Sequence, residues 1–274
     1  MIKRKKQKHL GGNNIMKAKT LCAAVLSTLI LGGTVASAAP GDPMTTNGKV
    51  TVEEGVIDPD TGVVDPEIPG EVLPDLPDIE TNPNPDMGPL EISHAPAFSF
   101  GTVKTSTAAV SAFAAANTWE NSEGVTQSRG AVLQFGDLRT DANGYTVNAK
   151  MTKQFTQGAN ELTGSTITLT NPLSNTAEGS TGTKPKFEDS VLLSFNESAL
   201  VATAANADKA GKGLWTVEYG SSTNVSATDT TATSVELLIP ANTASSMAGG
   251  DYVADVEWSI VAEAAPAPEP EPEA

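Results

Sequence analysis

Tyr252-Val-Ala-Asp-Val-Glu-Trp-Ser-Ile260 puts an apolar side chain at every second position. Tyr252, Ala254, Val256, Trp258 and Ile260 share one side, with Asp255, Glu257 and Ser259 on the other. A period of two is the repeat of a β-strand, whereas a helical stripe recurs every 3.6 residues. One face of this strand is therefore set for burial and the other for water.

The same pattern recurs upstream. It runs through Tyr145, Val147, Ala149 and Met151, then Ile167 and Leu169. It returns at Trp215, Val217 and Tyr219, and at Val235, Leu237 and Ile239. Turn formers separate the runs, notably Asp141-Ala-Asn-Gly144 and Asn171-Pro172. Short alternating runs with clustered turns predict an all-β domain, an antiparallel sandwich or barrel of about eight strands. Two alanine-rich stretches, Ala108 to Ala116 and Ser198 to Ala210, compete as short helices.

Residues 90–262 hold every aromatic residue of the chain, three Trp, three Tyr and seven Phe, so the core is expected there. Residues 39–89 differ in composition. They are rich in proline and acid, with no aromatic residue and Lys49 as the sole base. Such a segment buries little apolar surface against its chain entropy, and is expected to be a disordered, semi-rigid spacer. Asp58-Pro-Asp60-Thr-Gly62 resembles the start of a calcium loop but has no Glu at the twelfth position, so no metal site is expected. Residues 263–274 form an Ala/Pro/Glu tail.

The N-terminus has a different character. Lys17 and Lys19 precede the apolar run Leu21 to Leu31, and small residues lead to Ala36-Ser37-Ala38. This is the order of a secretory signal over residues 1–38, with cleavage expected after Ala38; Met16 is an alternative start. The run is short for a membrane span, so none is expected in the mature chain. Cys22 is the only cysteine and lies in the leader, so no disulfide framework is available.

Charge narrows the partners. Seven of the 17 Lys and Arg residues and none of the 33 Asp and Glu lie before residue 39, which leaves the rest at a net −23. So acidic a chain is repelled by phosphate backbones, which excludes nucleic acid as a partner. Catalysis also finds little support. The mature chain has one histidine, His94, and no G-x-S-x-G elbow. One His without Cys does not make a zinc site, and no cofactor motif appears. His94 therefore reads as a surface or packing residue, and the protein as a non-enzyme. Trp119, Trp215, Trp258, Tyr145, Tyr219 and Tyr252 are types that stack on sugars or anchor interfaces, and core packing is the competing role. Trp119 sits in a polar stretch and is the aromatic most expected to be exposed.

Several stretches together resemble the WxL family of Gram-positive cell-surface proteins. The junction Gly88-Pro-Leu-Glu-Ile-Ser-His-Ala-Pro-Ala-Phe-Ser-Phe-Gly101 is similar to that family's opening G-P-L strand and F-x-F-G element. Phe135-Gly-Asp-Leu-Arg139, Gly144-Tyr-Thr-Val147 and Glu161-Leu-Thr-Gly-Ser-Thr-Ile-Thr-Leu-Thr-Asn171 resemble the region of its first W-x-L. Tyr252 to Ile260 resembles its closing Y-x-A-x-x-x-W-x-L. The motifs are degenerate: Tyr145 and Val147 replace Trp and Leu in the first, Ile260 replaces Leu in the last, and Trp215-Thr-Val217 is a third such triplet. The resemblance implies a secreted protein held non-covalently at the cell wall. Peptidoglycan or another wall polymer is the implied ligand, and other cell-surface proteins are implied partners. Tyr145, Val147, Trp215, Tyr252, Trp258 and Ile260 are the expected ligand-binding residues. The alternative is a structural subunit or adhesin that binds protein partners in a surface complex.

Overall fold

A computed structural model describes residues 45–58, 60, 62–74, 81–86, 88–140, 144–176, 182–205 and 210–263. The expected leader, Cys22, the tail from residue 264 and most of the Asp141–Gly144 turn lie outside the described residues. From Thr51 onward the chain forms one unit.

The strands, in chain order, are β1 (Thr81–Pro83), β2 (Leu90–Pro96), β3 (Val110–Phe113), β4 (Asn117–Glu120), β5 (Thr126–Arg129) and β6 (Ala131–Asp137). Next come β7 (Tyr145–Gln157), β8 (Asn160–Glu161), β9 (Thr166–Thr170), β10 (Pro172–Thr176), β11 (Lys186–Phe187) and β12 (Ser190–Leu193). The last are β13 (Ser198–Ala204), β14 (Gly213–Tyr219), β15 (Val235–Ile239) and β16 (Val253–Ala262). A single helical turn, α1 (Ala241–Ala244), separates the final two strands.

Three sheets enclose the core. One has the order β1-β2-β6-β14-β10, the second β11-β13-β7-β16 and the third β12-β9-β15-β3. The pair β4-β5 stands apart from them, and β8 adds to β7. Every ladder between these strands is antiparallel. The all-β, antiparallel, sandwich-like class is therefore the one the alternation predicted, with more and shorter strands than eight.

The core follows the period of two. Tyr145, Val147, Ala149 and Met151 point inward from β7, the long central strand of its sheet. They meet Leu133 and Phe135 of β6, Trp215 and Val217 of β14, Ile167 and Leu169 of β9, and Leu237 and Ile239 of β15. Phe135 packs edge-on to Tyr145 with ring centroids 6.0 Å apart. Asn171 takes φ +53° at the β9–β10 turn, a left-handed conformation that asparagine tolerates.

Where described, the alanine-rich stretches contain strands, not helices, and residues 206–209 lie outside the described residues. Val110–Phe113 is β3, and Ser198–Ala204 is β13, paired to β7 on one side and β11 on the other. Ladder hydrogen bonds and burial of Val201, Ala202 and Ala204 outweigh alanine's modest helix preference.

Part of the segment expected to act as a spacer packs on the domain as a strap. Ile57, Val63, Val64 and Leu73 are buried. The Gly55 amide donates to the Leu138 carbonyl at 3.2 Å, and the Ile57 amide to that of Gly88 at 2.8 Å. Asp65 and Leu73 donate across a narrow turn to Glu71 and Val63. A Cβ on Gly136 would lie 2.6 Å from Ile57 Cδ1 and 3.0 Å from the Gly213 carbonyl, so the close approach of the strap needs glycine there.

Candidate functional site

The structure divides the six expected ligand-binding residues into two groups. Tyr145, Val147 and Trp215 are in the core, and Trp215 keeps only 4% of its surface. They touch protein on every side and can act on a ligand only by holding other residues in place. Tyr145 and Trp215 do so together, from different sheets. The Tyr145 hydroxyl donates to the Gly211 carbonyl at 3.0 Å, and Trp215 Nε1 donates to Gly211 and Lys212 at 3.1 and 3.2 Å. Gly211 has φ +66°, and a Cβ there would lie 2.6 Å from the Tyr145 hydroxyl. Burial pushes the Tyr145 phenol well up, so it is a neutral donor at any physiological pH.

Tyr252, Trp258 and Ile260 are half-buried. The last two lie on the inward face of β16, which among the described strands pairs with β7 alone, and Tyr252 directly precedes it. That face is half-covered because the sandwich opens along this edge. Val256, Trp258 and Ile260 form one side of a groove of about 520 Å³. Asn82, Leu90, Glu91 and Ala95 form the other. Asn84 shapes this side, donating to Glu91 Oε1 at 2.9 Å and to the Ile92 carbonyl at 3.0 Å.

The groove continues past Ala254 into a second cavity of about 570 Å³ at the start of β16. Residues 98–105 wall one side of it and residues 247–252 the other. Phe98, Phe100 and Tyr252 present aromatic surface, backed by Phe155. The Phe98 and Phe100 rings lie 6.2 Å apart, and Phe100 meets Phe155 edge-on at 6.0 Å. The Tyr252 hydroxyl donates to the Ala248 carbonyl at 3.1 Å, and Gln157 Nε2 to that of Gly249 at 3.3 Å. These bonds tie the 247–252 loop to β7 and to itself. Ser99, Thr102, Thr105 and Asp251 add polar groups to the rim. An aromatic floor with a hydroxyl-bearing rim is a surface that can stack on and hydrogen-bond to a sugar.

Phe98 and Phe100 were legible as the F-x-F-G element but not as site residues. Two aromatic residues at strand spacing that stay half-exposed were the available signal. Trp119 is not free on the surface. It is half-buried against Val63, Leu73 and Val132, with the Arg129 guanidinium 5.3 Å from its ring centre. His94 is a packing residue: burial lowers its pKa, and Nδ1 lies 3.2 Å from Ser93 Oγ and 3.4 Å from Gln134 Nε2.

Two buried charge clusters escaped the sequence reading. Asp137 receives Arg139 Nε at 3.0 Å, Arg139 Nη2 at 2.8 Å and Lys212 Nζ at 3.2 Å. Burial works to raise its pKa, but these donors prevail and hold the carboxyl below its usual range. The D-x-R motif is thus an ion pair between β6 and the strand's exit. The second cluster joins the strap to the domain. Arg129 reaches Asp65 at 2.9 and 2.7 Å and Glu67 at 2.9 Å. Glu67 also accepts from the Ser222 amide and hydroxyl, both at 2.5 Å. Glu218 completes it, accepting from the Gly130 amide at 3.1 Å. Burial and the nearby Glu67 charge push the Glu218 carboxyl up to about 9 against the pull of Arg129, so it is protonated at neutral pH. A raised carboxyl pKa often marks an active site. Here the side chains of Arg129 and Glu67 are fully enclosed, so no substrate can reach the cluster and its role is to fasten the strap.

Among the described residues, no helix is long and apolar enough to cross a membrane, and no group of His, Cys, Asp and Glu is arranged to hold a metal. Searches of curated proteins and of solved structures found no match. A scan against protein families matched residues 39–263 to the WxL domain, described as surface cell wall-binding. That span takes in the strap, both buried ion clusters and the groove of β16, and the chain belongs to the WxL family of cell-wall-binding surface domains.

Proposed function

We propose that this cell-surface protein binds the glycan of Gram-positive peptidoglycan in the cleft between residues 98–105 and 247–252. Tyr252, with Phe98 and Phe100, supplies the stacking surface. Tyr145, Val147 and Trp215 hold the sheets that carry it. The supporting observation is the position of the cleft, an aromatic-walled cavity opening where the closing Y-x-A-x-x-x-W-x-I strand begins. Stacking and hydrogen bonding suit a ligand for an acidic protein, because wall polymers are themselves anionic and long-range attraction is not available. Nothing in the cleft is arranged as an acid–base pair, which favours binding over turnover.

The test is sedimentation of the secreted protein with washed Gram-positive cell walls, with and without added Ca²⁺. Wild type is expected to pellet. Tyr252→Ala is expected to weaken pelleting about 3- to 10-fold, the worth of one aromatic stacking contact. Circular dichroism confirms that the variant folds. Wild type remaining in the supernatant under both conditions would overturn the proposal.

A further inference from the structure

The strand face with the strongest sequence signal, Val256, Trp258 and Ile260, borders a groove that the glycan cleft does not need. Among the described residues, no strand pairs with the outer edge of β16, so its groove is open to an extended chain. The same molecule carries such a chain. Lys49-Val-Thr-Val-Glu53 lies just before the strap and in no strand. Among the described residues, no backbone hydrogen bond engages residues 45–54. Val50 and Val52 are 83% and 75% exposed and two residues apart, so in an extended chain both face one side. Lone exposed valines are ordinary, but an alternating pair on an unpaired extended segment is a strand edge without a sheet.

We propose that residues 49–53 of one copy add to the outer edge of β16 in a second copy, with Val50 and Val52 seated in the groove beside Val256 and Trp258. Strand addition matches faces: residues on one side of the incoming chain meet those on the same side of β16. With the valines in the groove, Lys49, Thr51 and Glu53 fall on the face that bears Asp255, Glu257 and Ser259. The charges favour a parallel seating, with Val50 beside Val256 and Val52 beside Trp258, in which Lys49 lies by Asp255 and Glu53 by Ser259, whereas the antiparallel seating would set Glu53 against Asp255. The donor segment and the groove are different surfaces of one chain. The contact is therefore head-to-tail, and it builds open chains, not closed pairs. Two valines and a short ladder make a small interface, so association is weak in dilute solution and favoured where copies are concentrated on a surface.

This inference is independent of the glycan cleft, and its failure leaves that reading standing. The test is light scattering of the secreted protein over a concentration series. Mass is expected to rise continuously above monomer near 0.1 mM, on the order of the affinity so small an interface allows. Val50→Asp/Val52→Asp is expected to stay monomeric; both sites are exposed, so folding is not at risk. A peptide of residues 45–56 should return wild type to monomer, and a scrambled peptide should not. Mixed under oxidation, Glu53→Cys and Ser259→Cys proteins should form a disulfide-linked pair, whereas Glu53→Cys with Thr228→Cys should not. Monomeric wild type at all concentrations overturns the proposal, whether the groove stays empty or takes the segment of its own chain. So does association that survives the double Asp variant, or equal cross-linking at residues 259 and 228.

Discussion

The five-stranded sheet has two buried faces built on different principles. Its inner face carries Leu133 and Phe135 on β6 opposite Val217 and Trp215 on β14, and it is apolar. Its outer face carries Val132 and Gln134 opposite Glu218 and Thr216, all without exposed surface. The strap covers this outer face largely through polar contacts. Gln134 accepts from the Val64 amide at 2.7 Å and the Thr216 hydroxyl at 2.9 Å, and donates to the Gly62 carbonyl at 2.9 Å. Arg129 binds the two strap carboxylates. The inner face gains its free energy from area removed from water, which tolerates many apolar combinations. The outer face gains little net energy from satisfied polar pairs but loses heavily when one partner is removed. The inner face therefore sets stability, and the outer face sets where one particular segment sits.

The sharpest way to break this contrast is to truncate each face. Phe135→Ala should cost about 3–5 kcal/mol and act on the whole fold, seen as a lower midpoint in denaturant unfolding. Arg129→Ala strands Asp65, Glu67 and Glu218 in a closed site, a loss of about 3–5 kcal/mol for a broken buried pair. Its effect should be local. Limited proteolysis should cut within residues 57–73 while the β domain stays resistant.

A pH series sharpens the contrast further. Glu218 has its pKa raised from 4.5 to about 9 by folding. Between those values the folded state holds one more proton than the unfolded state, so stability falls as pH rises. The slope is at most about 1.4 kcal/mol per pH unit, and the contribution is gone above pH 9. Glu218→Gln should flatten the decline in melting temperature between pH 7 and 9. Asp137, held below its usual range, acts in the opposite direction and destabilises only in acid. The smallest effect belongs to the exposed pair Lys186–Glu188, 3.4 Å apart. Lys186→Ala should change stability by less than about 0.5 kcal/mol in the same melts.

The inner face was legible because period-two alternation reports a face buried against apolar neighbours. Tyr145, Val147, Trp215 and Val217 were all placed on strands by it. Being legible as core is also why three of the six expected ligand residues lie inside. Spacing alone puts Trp215 and Trp258 on inward faces alike, and only the open edge beside β16 separates them. The outer face was not legible. Alternation with Trp215, Val217 and Tyr219 puts Thr216 and Glu218 on the side usually left to water, and nothing local says that a distant segment will cover them or Gln134. The strap itself was hidden by composition. Averaged over residues 39–89, proline and acid dominate, and the contacts that matter come from Ile57, Val63, Val64, Asp65, Glu67 and Leu73. Asp65 and Glu67 count as repulsive surface charge until Arg129 is known to face them.

Hydrogen exchange read by mass spectrometry, on the secreted protein with and without soluble peptidoglycan fragments, tests the account most directly. Residues 57–73 should be protected in both conditions, as an integral cover of the sheet. Added fragments should slow exchange at residues 98–105 and 247–252 and leave the strap unchanged. A strap exchanging as fast as a free chain, or protection appearing on the strap instead of the cleft, would contradict the division of this domain into a fastened face and a ligand-facing edge.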